Sequence, residues 1–369
     1  MASSSSSFAE ALAAKKAKLA TTQTRDTSGP RIQKTLADIS EADVDSYQKT
    51  VQDANIETWE KNLGPLTFRT KYMTMSVEDA RAFLEITENR GKPEYRASAE
   101  LQGRLDEMEA RLQALIDEDG WGSRGVFVKT SSRSAKDAAV ARKKLLDIYK
   151  AHTKLLACGQ GPYTVNQKII GLLHAGTQML KCFSARDAFE MLTQSERIEQ
   201  DMRLALLVFD RNGHWDQNLV VREWHDIDVS QEWRCFIKDR KVAAISQYNY
   251  LPCFPDLIAN RQYLADLLVS FLSVTVIPSL PDTPIFQDMV IDLAVTGDAW
   301  AHPKLWVIEL NPYLSSTDGA LFSWAHDLPV LTGQLPFELR LTEKESAGVK
   351  TSMLIEWREL IDSIDIDAP

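Results

Sequence analysis

Two carboxylates interrupt apolar, β-prone runs. Val290-Ile291-Asp292-Leu293-Ala294 carries the first, and Glu309-Leu310-Asn311-Pro312, seventeen residues beyond Asp292, carries the second. An ionised carboxylate turned toward a core costs several kcal/mol unless it is paired or metal-bound, so something positive has to meet each of them. If the two runs form an antiparallel hairpin through the loop from Thr296 to Lys304, Asp292 lies close to Glu309. The period of two along a strand then turns Glu309 and Asn311 to one face. Three oxygen-bearing side chains converge, a hard donor set that suits Mg²⁺, an ion that keeps phosphate oxygens in its shell; the ligand this predicts is Mg-ATP. The bland alternative is a pair of edge strands whose polar positions face solvent.

Lys129 ends the apolar run Val126-Phe127-Val128, where its ammonium can act as a point charge on a nucleotide phosphate or simply reach solvent from a strand end. The turn that follows, Ser131-Ser132-Arg133-Ser134-Ala135-Lys136, opens a helix, and backbone N–H groups, hydroxyls and the helix dipole there favour an anion. Arg133 and Lys136 fit that reading and equally fit a solvated surface. In Val220-Val221-Arg222-Glu223-Trp224-His225 an apolar strand runs into a polar end, a hinge against which an adenine can pack; Trp224 as plain core is the competing reading. Glu232 and Arg234 share one strand face, matching a ribose hydroxyl acceptor and a phosphate donor, or else a cross-strand ion pair.

Several chemistries are excluded by their missing motifs. No GxxxxGK[ST] loop occurs, and neither HRD nor DFG, so an ordinary P-loop enzyme and a protein kinase are set aside. The six histidines show no HExxH spacing and there is no GxSxG elbow, which removes zinc and serine hydrolases. The 369 residues suffice for one large two-lobed domain or two smaller ones. Lys and Arg number 42 against 52 Asp and Glu, a net charge of −10 that disfavours gripping a nucleic acid backbone. With 44% apolar and 25% charged residues the composition is that of a globular protein. No run reaches the ~18 uncharged apolar residues a membrane span needs. Four cysteines without a CxxC pair suggest neither zinc nor a disulfide framework, and the Ser3 to Ser7 opening lacks a secretory apolar stretch; a cytoplasmic setting is expected.

The elements that position these groups follow from periodicity. Residues 1 to 35 are poor in large apolar groups and are expected to be a mobile tail, with a transient helix over 8 to 20. Leu66, Phe68 and Tyr72 alternate as in a half-buried strand, and Ser76 with Asp79 predicts a capping box before a short helix. Leu101, Leu105, Met108, Leu112 and Leu115 predict an amphipathic helix packed on the core, closed by the turn Asp119-Gly120-Trp121-Gly122. Ser134 and Asp137 predict a second capping pattern, before a helix to about Leu156; helices are also expected over Val165 to Leu180, Ala185 to Leu192 and Leu257 to Leu272. Strands are expected at Val126 to Lys129, Leu204 to Phe209, Leu219 to Trp224, Trp233 to Ile237, Val242 to Tyr248, Met289 to Val295 and Leu305 to Leu310, with Asp239-Arg240 as a hairpin turn. Grouped strands flanked by helices indicate an α+β architecture.

Taken together, the strings around Phe127 to Ala138, Val221 to Trp224, Glu232 to Phe236, Ala244 to Tyr250, Val290 to Leu293, Ile308 to Pro312 and Asp318 to Trp324 resemble the cell division cycle protein 123 family. The matches keep their order over about residues 120 to 330. That resemblance implies an ATP-grasp fold, with two α+β lobes holding Mg-ATP between them. It implies an assembly chaperone of translation initiation and the cell cycle, acting on the union of the γ and α subunits of eukaryotic translation initiation factor 2. The implied division is a tail over 1–35, an N-terminal lobe over 36–225 and a C-terminal lobe over 226–369. The N-terminal lobe would include an inserted helix over 97–117 and a phosphate-side strand, turn and helix over 126–156. Carried over by position, Lys129, Ser132, Ser134 and Lys136 look like the phosphate side and Glu223, Trp224 and His225 the adenine hinge. Glu232 and Arg234 look like ribose and phosphate contacts, and Asp292, Glu309 and Asn311 the magnesium ligands. Tyr248 belongs to the same nucleotide set but stands where the family commonly has a basic residue, Glu309 stands where it often has Asp, and the N-terminal third matches poorly. The alternative function is a carboxylate-amine ligase, for which no second phosphoryl-binding cation can be picked out from the sequence.

Overall fold

The Asp79 amide donates to the Ser76 hydroxyl at 3.0 Å and the Ser76 amide donates to the Asp79 carboxylate at 3.1 Å, so the helix Val77–Asn89 starts on a complete capping box. The same carboxylate takes Arg104 at 3.1 Å and Arg111 at 3.0 Å from the helix Ala99–Asp117, tying the two helices together. Leu101, Met108, Leu112 and Ile116 form the buried stripe of that second helix, which packs on the protein's own core as its spacing predicts. The computed structural model describes residues 49–50, 52–156, 164–345, 358 and 361. The tail expected over 1 to 35, its transient helix and Cys158 lie outside the described residues. Cys182, Cys235 and Cys253 are buried and unbridged.

Nine strands are described, β1 (Thr70–Thr74), β2 (Val126–Thr130), β3 (Lys181–Cys182), β4 (Asn218–Glu223), β5 (Glu232–Lys238), β6 (Lys241–Gln247), β7 (Met289–Asp298), β8 (His302–Pro312) and β9 (Glu338–Arg340). They form two sheets: four strands in the order β1-β4-β2-β3, all antiparallel, and five in the order β8-β7-β5-β6-β9, antiparallel except for β6 with β9. Helices flank both sheets, which makes the architecture α+β. Asp239 and Arg240, both at positive φ (49° and 57°), make the tight turn between β5 and β6 that the sequence predicts. One core gathers around the four-stranded sheet, with Phe83, Met108, Trp121 and Tyr149; another lies under the five-stranded sheet, with Trp233, Leu264, Leu268 and Ile291. The helix Ile56–Leu63 gives its Ile56, Trp59 and Leu63 to the second core although it precedes β1.

Five expectations need correction. Leu204 to Phe209 is not a strand: it lies inside the helix Glu196–Asn212, opened by the Ser195 cap and closed by Gly213 in the left-handed conformation. The run reads as β because it is continuously apolar, but Ile198, Met202 and Leu206 are buried at a spacing of four, and that helical stripe decides. Ser134 and Asp137 do not cap the next helix, which starts at Ala139; Ser134 bridges to Lys129, and Asp137 accepts from the Ser195 hydroxyl at 2.6 Å and the Arg197 amide at 3.1 Å. The strand alternation at Leu66 begins only at Thr70, because Gly64–Leu66 is a 3₁₀ turn with Pro65 at its start. After the Asp119-Gly120 reversal the chain enters a short helix, Trp121–Arg124, rather than an open turn. Finally, the helix from Arg261 runs on through π-helical turns to Ser279, long and apolar enough by length and composition to cross a membrane. Its Leu264, Leu268, Leu272 and Val276 form one stripe buried against the five-stranded sheet, while Val274 is exposed.

Candidate functional site

Register places the acidic groups. In the β7–β8 hairpin Asp292 stands opposite Glu309 and Val290 opposite Asn311, and on the other side of β7, Asp292 stands opposite Arg234 of β5. One face of the sheet therefore carries Glu309 and Asn311, Asp292, then Arg234 and Glu232. Ile308 bulges out of the hairpin next to Glu309, and its carbonyl accepts from the Arg222 guanidinium at 2.6 Å. Arg222 is itself buried, also donates to the Thr67 hydroxyl at 2.7 Å, and burial brings its guanidinium down to about 10.

Asp292 is 4% exposed and meets Arg234 in a two-pronged pair, Nε to Oδ1 at 2.9 Å and Nη2 to Oδ2 at 2.8 Å. Burial pushes the Asp292 carboxyl up and works against the Arg234 charge, but the aspartate next to Arg234 outweighs that loss of solvent and raises the guanidinium, so the pair is ionic. Asn311 donates to the same carboxylate at 3.0 Å, and Arg234 gives its remaining nitrogen to the Asp318 carbonyl at 2.7 Å while lying over the Tyr248 ring. Glu309 takes Lys129 of β2 at 2.6 Å, a contact between the two sheets. Burial would raise Glu309, but Lys129, followed by Lys136 and Arg222, holds it down at about 2.

The facing wall is the turn after β2, folded back by the Thr130 amide on the Arg133 carbonyl and by the bridge between Lys129 and Ser134. Together the two walls enclose a cleft of about 390 Å³ lined by Ser132, Arg133, Ser134, Lys136, Arg197, Arg234, Tyr248, Glu309, Asn311 and Asp318 among others. Lys136 faces Tyr248, whose hydroxyl leads the groups that raise its ammonium, followed by Glu232, Glu309 and Asp292 against the loss of solvent. Glu232, raised by burial, accepts from Asn249 at 3.1 Å. Ser132 donates to Asp201 at 3.2 Å, so its hydroxyl is already engaged.

Of the sequence-predicted residues, the structure brings together Lys129, Ser132, Ser134, Lys136, Glu232, Arg234, Tyr248, Asp292, Glu309 and Asn311. Glu223, Trp224 and His225 stand apart, at the far end of β4. Val220 lies opposite Lys129 and Glu223 three residues further on, roughly 10 Å along the strand. There Glu223 pairs with Arg124 at 3.0 Å, Trp224 donates to Asp226 at 2.7 Å, and His225 stacks on Phe68 with ring centres 4.4 Å apart, beside Trp306. Burial lowers the His225 imidazole, which favours its neutral form. Sequence reasoning missed Arg222, Arg197 and Asn55. Arg222 left a signal, a cation inside an apolar run; Arg197 and Asn55 left none, because their place depends on which helix start meets the cleft.

Among the described residues no group of three or more His, Cys, Asp or Glu forms. A cation here would rest on the Asp292 and Glu309 carboxylates and the Asn311 amide, an all-oxygen set that fits Mg²⁺ with phosphate and water completing its shell.

The D123 family model matches residues 172–358. A protein of Dictyostelium discoideum named translation initiation factor eIF2 assembly protein is 28% identical over 193 residues, covering 51% of this chain and 48% of the relative. One of the same name from Schizosaccharomyces pombe is 28% identical over 184 residues, 46% of this chain and 52% of its own. The chain thus spans about half the length of the curated relatives it matches. In fold it is similar to the structure of Cdc123 from Schizosaccharomyces pombe, with a TM-score of 0.56 and 22% identity over 80% of this chain and 98% of that one. The family match covers half of the sequence and includes β4 to β9 with the acidic face of the cleft: the chain belongs to the D123 family, that of the Cdc123 proteins.

Proposed function

We propose that this chain binds Mg-ATP in an ATP-grasp-like cleft between its two sheets. In the cytoplasm it acts as an assembly chaperone for eukaryotic translation initiation factor 2, promoting union of the γ and α subunits. The observation that carries the nucleotide reading is the juxtaposition of Asp292, Glu309 and Asn311 on one sheet with Lys129 and Lys136 from the other. Mg²⁺ would be held by Asp292, Glu309 and Asn311 and would neutralise phosphate charge. Lys129, Lys136, Ser134 and the backbone of the turn at Ser132 would take the phosphates, Arg234, Glu232 and Tyr248 the phosphate and ribose side. The niche of His225, Phe68 and Trp306 beyond Glu223 and Trp224 offers flat apolar surface for a base. The partner rests on the names of the relatives, eIF2 assembly proteins.

An assembly factor needs ATP to favour one conformation and has no need of cleavage. The test is retention of the γ subunit on immobilised protein with Mg-ATP. Wild type is expected to retain it, and Glu309→Gln/Asn311→Ala, which leaves the Arg234–Asp292 pair intact, to release it. If the γ subunit is ignored while a cell extract drives phosphate release at on the order of 1 s⁻¹ or faster, the chaperone reading fails and a carboxylate-amine ligase replaces it.

A further inference from the structure

The cations around the cleft are not equivalent. Lys129 is taken by Glu309, Arg234 by Asp292 and the Asp318 carbonyl, and Arg133 by Asp201 at 2.8 Å. Arg197 lines the same cleft, yet its guanidinium has no acceptor among the described residues. The cause lies in the helix Glu196–Asn212. Four residues on from Arg197 its natural partner is Asp201, one turn away, but Arg133 and Ser132 already occupy that carboxylate. The Arg197 amide is fixed on Asp137 at 3.1 Å, so the point where the side chain leaves the backbone is set. Loss of solvent, then the neighbouring Arg133, lower its guanidinium, against the more distant pull of Asp137, Asp201 and Tyr248.

Position says which anion. The strands β2 and β4 run antiparallel, with Val126 opposite Glu223 at the hinge end and Thr130 opposite Leu219 at the other. Arg197 and the turn at Ser132 lie beyond Thr130, on the side away from the hinge. Asn55, 5% exposed and with its carboxamide oxygen without a partner among the described residues, lines this same cleft, a second polar group that a bound molecule could satisfy. A nucleotide with its base at His225 and its inner phosphates between Lys129 and the acidic face presents its outermost phosphate here.

We infer that Arg197 is a specificity-determining residue that binds the terminal phosphate of a nucleoside triphosphate and makes the cleft prefer a triphosphate over a diphosphate. The inference rests on the nucleotide reading above. Calorimetric titration of the full chain with ATP and with ADP, both with Mg²⁺, tests it in wild type, Arg197→Ala and Arg197→Lys. A charge-assisted contact to one phosphate group predicts that Arg197→Ala loses about 10- to 100-fold in ATP affinity while ADP affinity stays within about twofold, with Arg197→Lys in between. Melting temperatures without nucleotide should change little, since the Arg197 side chain makes no hydrogen bond or ion pair to the described residues. Parallel losses for ATP and ADP, or no loss for either, overturn the assignment while leaving nucleotide binding intact. Failure of wild type to bind either nucleotide overturns both it and the reading beneath it.

Discussion

Two cation–carboxylate pairs face each other across the cleft, and they are built differently. Arg234 and Asp292 sit on neighbouring strands of one sheet, 7% and 4% exposed, joined by two parallel hydrogen bonds and braced by Asn311 and the Asp318 carbonyl. Lys129 and Glu309 join the two sheets through one contact at 2.6 Å, and the Glu309 side chain is 38% exposed. Opening the first pair strands two buried charges; opening the second strands only the buried Lys129, since water already reaches the Glu309 carboxylate. The first is a floor within one sheet, whereas the second is a contact between the sheets in which, under the proposed function, Lys129 would exchange Glu309 for a phosphate.

Arg234→Met breaks the floor. Leaving Asp292 buried without its partner should cost about 3–5 kcal/mol in chemical denaturation, and Arg234→Met/Asp292→Leu should recover most of it. A loss below ~1 kcal/mol for the single variant would mean that the two pairs do not differ as described. Lys129→Met sharpens the contrast: stability without ligand should fall by less than in Arg234→Met, because water reaches the Glu309 carboxylate left behind, while ATP affinity drops about 10- to 100-fold by calorimetry. A large loss of stability without ligand would make Lys129 structural.

A smaller effect is expected from acid. Glu309 is held at about 2 in the folded chain, against roughly 4.3 when unfolded, so its contribution is full above about pH 5 and is lost as pH falls toward 2. Glu309→Gln should therefore flatten the decline in melting temperature over that interval; an unchanged slope would show that Lys129 does not hold the carboxylate. Least of all, Ser132→Ala should change ATP affinity by less than about threefold, because the hydroxyl already donates to Asp201.

The acidic face was readable in the sequence because strand periodicity is strict. Once Asp292 and Glu309 are placed on a hairpin, their facing register and the shared face with Asn311 follow, and the structure has both. Lys129 was readable as the end of an apolar run, but its partner was not, since the contact joins residues far apart in sequence on two different sheets. The run Leu204 to Phe209 misled because uniform apolarity does not distinguish a strand from a buried helical turn, and only the spacing of Ile198, Met202 and Leu206 does so. Asp137 misled for a related reason: a capping motif states that a helix start is near, and here the start it serves belongs to Ser195 and Arg197, not to the next residues along the chain. Arg197 itself carries no local signal, because its lack of a partner among the described residues arises from Arg133 having taken Asp201.

The most direct test of the cleft as a Mg-ATP site is a calorimetric titration of ATP into the full chain, once with excess Mg²⁺ and once with EDTA. The account predicts saturable one-to-one binding with Mg²⁺ and at least about tenfold weaker binding without it, as the two carboxylates then face phosphate uncompensated. Equal affinity in both, or no binding in either, would contradict it.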